Sequence, residues 1–279
     1  MTDFINFHEK NKLVKNFILN VINISLVLSD KYFCKFWNFS LGIINNSVKI
    51  KTTSRNTFNI SDENYKIEII YKDRFEYYLQ NISTRFDHLI YEYMFENIEF
   101  SNDDIIIDCG ANIGEIYRAL MHHTNHELNF NYFGFEPHKR DFEVLSRNTI
   151  NLVDQPLALS IDSQDRDFYL NPNTADSSFE SRSNTEKVVV KCTTLDNYFA
   201  SYESIKLLKL EAEGFELDVL KGAQEILSNI NFITADLGYE LEKNTKRSFE
   251  EVNEYLGRNN FVNISSTPRE TYLYRSLNN

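Results

Sequence analysis

The order of apolar and polar residues changes at about residue 100, and from there short apolar runs alternate with amphipathic segments. The runs have the length and composition of buried strands, and the segments have the period of helices. This alternation predicts an α/β fold whose parallel sheet is covered by helices on both faces. The predicted strands are 104–108, 132–136, 156–160, 205–211 and 232–236, and the predicted helices are 113–123, 137–148, 215–227 and 249–256.

Two pairs of segments with alternating apolar and polar residues interrupt or end this series. Residues 168–170 and 187–192 predict an inserted antiparallel pair, and residues 261–264 and 271–274 predict a terminal hairpin. Neither pair carries a chemical motif. Because ligands of such sheets bind beyond the carboxyl ends of the parallel strands, we expect the functional residues there.

The first 95 residues have a different pattern and no chemical signature. We therefore predict an N-terminal extension, 1–95, followed by one catalytic domain, 96–279. An aromatic cluster in the first helical segment makes the extension our candidate for contacts between subunits of a homo-oligomer. The elements predicted in the extension are a helical segment at 1–40, a small hairpin from 47–60 and 64–71, and one or two helices at 75–95.

Glycine and proline are scarce, with 8 and 4 residues in a chain of 279. An average protein has roughly three times that share of the two together, so disordered and collagen-like classes are excluded. Six of the glycines fall between residues 110 and 238. Each of these six is a candidate for a position where the backbone requires glycine.

Net charge and cysteine content indicate which partners the protein can bind and in which cellular compartment it is located. The net charge of −12 would repel a phosphate backbone, so nucleic acid is not an expected partner. Three cysteines without a CxxC pair predict neither a disulfide framework nor a zinc site, and a reducing cytoplasm is the simplest location. The most apolar early stretch, 13–28, is too short and too polar to span a membrane, and no signal peptide precedes it.

The first motif is Asp108-Cys-Gly-Ala-Asn-Ile-Gly114, which joins a predicted strand to a predicted helix. Gly110 would allow a sharp turn and Gly114 close packing, so a ligand could approach the free amides at the start of the helix. The spacing matches neither a dinucleotide fingerprint nor a P-loop. An acid, Asp108, in place of the first glycine suits a ligand with a cationic end.

The second motif is Glu136, which ends the next strand and is followed by Pro137. A carboxylate at this distance after a glycine loop can accept hydrogen bonds from both hydroxyls of a ribose. Pro137 lacks an amide donor and is predicted to start the following helix.

The third motif is Lys209-Leu-Glu-Ala-Glu-Gly-Phe-Glu216, where three acids and a lysine crowd the end of a central strand. Two interpretations remain open. In one, Glu211 or Glu213 faces the ligand crevice. In the other, the acids only complement the helix N-terminus and Lys209 pairs with one of them.

In this order and spacing, the three motifs together with Thr194-Leu-Asp196 and Leu220-Lys-Gly-Ala223 resemble the FkbM family of S-adenosylmethionine-dependent methyltransferases over about residues 100–240. The resemblance implies a class I, Rossmann-like fold with a mostly parallel seven-stranded sheet. One departure is Glu211, where the family usually has Asp, and the added methylene moves the carboxylate. The residues that the resemblance assigns to the cofactor are Asp108, Gly110, Ala111, Asn112, Gly114, Glu136 and Pro137, and those near the acceptor are Asp176, Ser177 and Ser178.

Methyl transfer from a sulfonium donor to an oxygen needs alignment, exclusion of water and a group that takes the proton. The candidate catalytic residues are Glu211, Glu213, Lys209 and Asp236. Lys209 would orient a hydroxyl or pair with an acid, and Asp236 is a base or a solvated acid at the end of its strand. A divalent cation held by carboxylates would serve the same end, but no diagnostic ligand spacing is present.

We therefore expect an O-methyltransferase that acts on a hydroxyl of a small molecule. The resemblance makes a sugar or nucleotide-sugar of a bacterial surface polysaccharide the best substrate class. Two alternatives remain open: a nucleotide-sugar enzyme of another class, such as a glycosyltransferase or oxidoreductase, and a non-catalytic binding module that kept the fold.

Overall fold

A computed structural model describes residues 20–170, 186–238 and 248–278. It divides into two compact units, Met1–Thr84 and Arg85–Asn279. Residues 85–95, which the sequence places in the extension, therefore pack with the second unit. Within the described ranges, no helix combines the length and the apolar character needed to cross a membrane.

The first unit packs a helix on a small sheet. After helical residues 20–26 come α1, Asp30–Ile43, and three antiparallel strands, β1 (Lys49–Thr52), β2 (Phe58–Ser61) and β3 (Lys66–Ile69). A 3-10 helix, Asp73–Tyr78, follows. The expected two-stranded hairpin is thus a three-stranded sheet, because the segment 47–60 contains two strands separated by a turn.

Edge-to-face aromatic contacts form the core of the first unit. Phe33 and Trp37, one turn apart on α1, are buried with their ring centroids 6.4 Å apart. Phe75 contacts both of them, at 5.9 Å and 5.6 Å, and Phe58 of β2 lies 6.2 Å from Phe33. This face of α1 is therefore a packing face.

The second unit alternates strands and helices as the sequence predicts. Its helices are α2 (Ile82–Glu92), which contains the boundary between the units, α3 (Glu115–His123), α4 (Lys139–Asn148), α5 (Leu195–Phe199), α6 (Glu216–Lys221) and α7 (Ser248–Arg258). Its strands are β4 (Ile105–Cys109), β5 (Asn131–Phe135), β6 (Ala158–Leu159), β7 (Arg166–Leu170), β8 (Glu186–Val190), β9 (Cys192–Thr193), β10 (Ile205–Leu210), β11 (Ile230–Asp236), β12 (Phe261–Ser266) and β13 (Thr271–Ser276).

Among the described residues, the main sheet has six strands in the order β12-β13-β11-β10-β4-β5. The strands β11, β10, β4 and β5 are parallel, whereas β13 runs antiparallel to both of its neighbours. The α/β class is confirmed, and the sheet is mixed. Apolar runs such as that of β10 are buried on both faces of this sheet, which explains their continuous hydrophobicity.

The expected seventh strand does not join the described sheet. Its residues form the two-residue β6, which pairs in parallel with β9. The free edge of β5 is closed instead by Asn151, whose side-chain amide accepts from the Gly134 N–H at 2.8 Å and donates to its carbonyl at 2.9 Å. The Leu152 N–H donates to the carbonyl of Tyr132, also on β5. These bonds occupy the groups that a seventh strand would need.

The two predicted antiparallel pairs are confirmed. β7 pairs with β8, and β12 forms a hairpin with β13 that joins the sheet beside β11. Helix starts were predicted less accurately. Pro137 does not start α4, because the helix begins at Lys139 with His138 as its N-cap.

Candidate functional site

The carboxyl ends of four parallel strands meet at one edge of the sheet. The register pairs Lys209 of β10 with Asp108 of β4 on one side and with Thr234 of β11 on the other. Asp108 is in turn paired with Gly134 of β5. The residues that follow the strand ends, including all three motifs, are therefore neighbours in space.

The loop after β4 requires glycine at its first position. Gly110 has a φ of +75°, and a Cβ atom there would lie 2.1 Å from the carbonyl oxygen of Glu211. The N–H groups of Gly110 and Ala111 both donate to the carbonyl of Phe135, at 3.1 Å and 3.0 Å. The loop is thus held between the ends of β5 and β10, and a larger residue than glycine has no room.

Gly114 ends the loop as the N-cap of α3, with a φ of +84°. A Cβ atom on it would lie 2.3 Å from the Cγ2 atom of Thr149, just past α4. The sequence predicts that Gly114 lets a helix pack closely on a strand, but the close contact is instead with the C-terminal end of α4. Within the loop, Asn112 also has a left-handed φ, of 47°.

Glu136 has both carboxylate oxygens tied to backbone, yet each keeps accepting capacity. Oε2 accepts from the N–H of Asn112 at 3.0 Å, and Oε1 accepts from the N–H of His138 at 2.8 Å. Burial, and then the charge of Asp141, raise the pKa of Glu136 to about 8. Asp141 is itself bound to the His138 ring. This buried acid has the lone pairs to receive the two hydroxyls of a ribose.

Lys209 is a buried cation at the centre of the edge. Its Nζ lies 3.1 Å from Asp108 Oδ1 and 2.9 Å from Glu211 Oε2, and it donates to the carbonyls of Cys109 and Gly110 at 3.1 Å and 3.0 Å. Burial favours the neutral amine, but the two carboxylates outweigh it and raise the pKa of Lys209 well above its usual range. The residue stays charged and ties β10 to the glycine loop.

Asp108 lies beneath the loop and is completely buried. Its Oδ2 accepts from the hydroxyl of Tyr132 at 2.6 Å, and its Oδ1 faces Lys209. In this arrangement the side chain orients Lys209 and Tyr132. That Asp108 contacts a ligand stays a prediction.

Glu211 is an anion fixed by two donors on one of its oxygens. Oε2 accepts from Lys209 and from the hydroxyl of Tyr93, the latter at 2.8 Å, while a quarter of the side chain remains exposed. Burial acts to raise the pKa of Glu211, but the ammonium of Lys209 and these hydrogen bonds prevail and lower it to about 2. At neutral pH this carboxylate is a hydrogen-bond acceptor and a weak base.

Asp236 is buried at the end of β11, so it is not a solvated strand-end acid. Its Oδ1 accepts from the N–H of Gly238 at 3.2 Å, and its Oδ2 lies 3.4 Å from Nη2 of Arg269. Burial and then the negative charge of Glu211 raise the pKa of Asp236. Arg269, in the turn between β12 and β13, also forms an ion pair with Glu92.

The loop after β10 is organised by Glu216. Its Oε1 accepts from the N–H groups of Ala212 and Gly214 at 2.9 Å and 3.1 Å. Glu213 has a left-handed φ of 51° and is half-buried at this turn. The sequence assigns both Glu213 and Glu216 to the helix N-terminus, and the structure shows that Glu216 shapes the loop that carries Glu213.

Four of the residues predicted to bind the cofactor or to act in catalysis lie in one charged cluster, and other predicted site residues lie outside it. The cluster contains Asp108, Lys209, Glu211 and Asp236, while Glu136 lies at the end of β5, three strands from Asp236. The substrate candidates Asp176, Ser177 and Ser178 lie outside the described residues. Within the described ranges, no group of three or more His, Cys, Asp or Glu side chains is placed to hold a metal ion.

Four residues at this edge were missed by the sequence analysis: Glu92, Tyr93, Tyr132 and Arg269. Tyr132 stands on a predicted strand, but nothing in the strand pattern distinguishes it from a core residue. Tyr93 is 118 positions from its partner Glu211, and no motif surrounds it. A single sequence holds no local signal for such contacts.

Three comparisons place the chain among known proteins. The sequence model of the methyltransferase FkbM domain matches residues 108–262. The chain is 28% identical over 144 residues to the hexuronic acid methyltransferase AglP of Haloferax volcanii. The aligned region covers 50% of this chain and 58% of that protein. The crystal structure of methyltransferase FkbM from Methylobacillus flagellatus KT is similar with a TM-score of 0.44 and 18% identity, over 72% of this chain and 55% of that one. The chain thus spans little more than half the length of either relative.

Proposed function

The chain belongs to the methyltransferase FkbM domain family, and from this premise we propose that it transfers a methyl group from S-adenosylmethionine to a hydroxyl oxygen of a sugar or nucleotide-sugar. One observation carries the proposal. The glycine loop lies between two strand ends that each present a carboxylate, Glu136 after β5 and Glu211 after β10. One acid suits the cofactor and the other suits the acceptor.

The residues of the loop fit the cofactor by their chemistry. Glu136 would hold the ribose, because each of its oxygens keeps a lone pair beside its single backbone donor. The loop from Gly110 to Gly114 would hold the methionine part, where Asp108 and Glu211 outnumber the single ammonium of Lys209 and leave a net negative charge that favours a cation. When bound, S-adenosylmethionine supplies an activated methyl group for in-line transfer.

The protein's own task is to align the acceptor and take its proton. We assign the proton to Asp236, because its raised pKa makes it a stronger base than Glu211. Glu211 accepts a hydrogen bond from the acceptor and orients it. Lys209 is buried and always charged, so its role is to hold Glu211 and the glycine loop in place. Glu213 stays a candidate on the adjoining loop.

A sugar acceptor is supported by the printed name of the relative AglP, a hexuronic acid methyltransferase. The relative's name supports a sugar acceptor, and the family resemblance leads us to propose a sugar of a bacterial surface polysaccharide. A cytoplasmic location suits the three cysteines, which are buried free thiols within the described ranges. Nucleic acid stays outside the proposal because of the net charge of −12.

The first experiment is isothermal titration with S-adenosylhomocysteine and, separately, with NAD. We expect S-adenosylhomocysteine to bind, and binding of NAD alone would favour a nucleotide-sugar oxidoreductase. Transfer is then measured by mass spectrometry on a panel of sugars and nucleotide-sugars, where the product gains the mass of one methylene. Cofactor binding without transfer to any member would favour the non-catalytic binding module.

A matched pair of variants tests the ribose assignment. Glu136→Ala should weaken cofactor binding at least tenfold, as expected when a charged hydrogen-bonding partner is lost. Glu143→Ala, an exposed acid on α4, should leave it unchanged. Equal affinities for the two variants would show that Glu136 does not hold the ribose.

Contacts between subunits are a separate proposal for the first unit. Tyr32, Phe39 and Ile43 lie along one face of α1, and each has more than 60% of its surface exposed. An apolar stripe of this kind is typical of a contact surface. Light scattering on the intact chain should give a mass above 32.9 kDa, and Phe39→Glu should lower it to the monomer mass.

A further inference from the structure

Three residues from outside the family-matched part of the chain lie beside the charged cluster at the carboxyl edge of the sheet. Residues 108–262 match the family, whereas Glu92 and Tyr93 precede this range and Arg269 follows it. We propose that Tyr93 and Glu92 are positioning residues, which hold Glu211 and Arg269 as the acceptor and donor halves of a subsite for neighbouring sugar hydroxyls. This inference rests on the proposed function and adds residues that the family match does not contain.

Tyr93 is a rigid donor. Its ring is buried, lies 5.9 Å from that of Phe95 in a stacked arrangement and is 5.5 Å from Lys209 Nζ. Its backbone is also held, because the hydroxyl of Thr234 on β11 donates to the Tyr93 carbonyl at 3.1 Å. Burial and then the charge of Glu211 raise the pKa of Tyr93 well above its usual range, so the hydroxyl keeps its proton and donates at every physiological pH.

The two donors on Glu211 share one oxygen, which decides what the other oxygen can do. Tyr93 and Lys209 both contact Oε2, at 2.8 Å and 2.9 Å. Among the described residues nothing is bound to Oε1, whose lone pairs can receive an acceptor hydroxyl at the exposed part of the side chain. The longer side chain of Glu211, where the family usually has Asp, is fixed by a hydroxyl that comes from before the family-matched range.

Arg269 is fixed from two sides and still open to a ligand. Glu92 binds Nη1 and Asp236 faces Nη2, while 60% of the Arg269 side chain remains exposed. A guanidinium has five N–H donors, so those that remain can donate to acceptor oxygens. Arg269 and Glu211 lie at the same corner of the sheet, because Leu210 of β10 pairs with Ala235 of β11 and Asp236, the next residue on β11, contacts Arg269.

Neighbouring hydroxyls of a sugar match this pair of groups. One hydroxyl would donate to Glu211 and the next would accept from Arg269, and both protein groups hold their geometry before the acceptor arrives. Fixed donors and acceptors of this kind improve binding because less freedom is lost on association. Residues 92 and 93 are adjacent, so the end of one helix, α2, positions both halves.

The test uses the full-length protein with the variants Tyr93→Phe and Glu92→Gln, and with Tyr91→Phe and Glu96→Gln as controls from the same segment. The controls change exposed side chains. We expect the KM for an acceptor sugar that the wild type methylates to rise about tenfold in each test variant. The kcat should be nearly unchanged and the affinity for S-adenosylhomocysteine unchanged. The controls should resemble the wild type in all three measurements.

A second readout does not depend on turnover. In Tyr93→Phe the carboxyl of Glu211 should titrate at a higher pH, because a donor to its charged form is lost. Carbon-13 NMR of glutamate-labelled protein measures this, with Glu211→Gln identifying the signal. If neither the titration nor the KM changes, Tyr93 does not position Glu211. If the titration shifts but no sugar is methylated by the wild type, the positioning is supported and the proposed function fails.

Discussion

At the residue scale, two glutamates of this site behave in opposite ways. Glu136 has a pKa of about 8 because it is buried beside Asp141, whereas Glu211 has a pKa of about 2 because Lys209 prevails over burial. Both follow the carboxyl ends of parallel strands that flank β4, so their position in the fold does not explain the difference. The sign of the adjacent charge decides which acid is protonated at neutral pH.

This difference predicts that cofactor binding releases a proton. Near pH 7 Glu136 is mostly protonated, and ribose hydroxyls donate best to its ionised form, so S-adenosylhomocysteine should displace about one proton on binding. Titrations in two buffers with different ionisation enthalpies measure it. The effect should disappear above pH 9 and in Glu136→Gln, and enthalpies independent of the buffer at pH 7 would contradict the assignment.

The same residue predicts how the stability of the free protein depends on pH. The pKa of Glu136 rises on folding from about 4.3 to about 8, so between these values the folded state holds a proton that the unfolded state has lost. Its contribution to the free energy of unfolding is complete below pH 4 and is lost as the pH rises to 8. Urea denaturation should show a smaller decline in Glu136→Gln, and parallel curves for both proteins would disprove it.

Two glycines should respond to alanine with opposite signs. Gly110→Ala places a Cβ atom 2.1 Å from the carbonyl of Glu211 at a positive φ, so it should cost at least about 2 kcal/mol of stability and abolish cofactor binding. Gly257→Ala meets open space in α7 and should stabilise the protein by about 0.5–1 kcal/mol. Denaturation midpoints measure both, and a neutral Gly110→Ala would mean that the loop does not require glycine.

At the element scale, the edge of the sheet is set by one side chain. The apolar run 156–160 has the composition of a strand, yet β5 ends the sheet because Asn151 closes its edge through Gly134. An edge closed by a side chain also has fewer free groups for pairing with another chain. The length of an apolar run therefore predicts a buried segment and leaves its pairing partner open.

Removing this closure should destabilise the second unit. Asn151→Ala loses three hydrogen bonds to the backbone, two with Gly134 and one from the Val153 N–H, and should lower the free energy of unfolding by about 2–3 kcal/mol. Asn151→Asp keeps the acceptor for the Gly134 N–H but loses the donor, so its loss should be intermediate. Asn129→Ala, at an exposed position, serves as the control. Chemical denaturation measures the free energy of unfolding of the three variants. Equal values would show that the hydrogen bonds of Asn151 do not stabilise the second unit.

At the scale of the whole molecule, the segment before residue 96 belongs in part to the second unit. The second unit begins at Arg85, whose guanidinium binds both carboxylate oxygens of Glu115 at 2.8 Å and 3.0 Å. Both side chains of this pair are largely buried. The sequence predicts that the domain boundary lies at residue 95. This prediction can be tested by truncation.

A fragment that starts at Asn81 should fold more stably than one that starts at residue 96. The longer fragment keeps α2 with its Asn81 cap, the pair of Arg85 with Glu115, and Tyr93. Loss of a buried ion-pair partner alone costs about 3–5 kcal/mol. Thermal melts and S-adenosylhomocysteine titrations compare the two fragments, and equal melting temperatures would show that residues 81–95 are dispensable.

The sequence by itself determined the alternation of strands and helices, the three motifs at the strand ends and the family. These features are local: the period of the apolar residues decides an element, and each motif is contiguous. The tertiary structure alone decided the six-stranded sheet and the burial of Lys209. It also decided that Tyr93 binds Glu211 and that Arg269 contacts Asp236. Those outcomes depend on contacts between residues that lie far apart in the chain, where burial and neighbouring charge, rather than local pattern, set the energy.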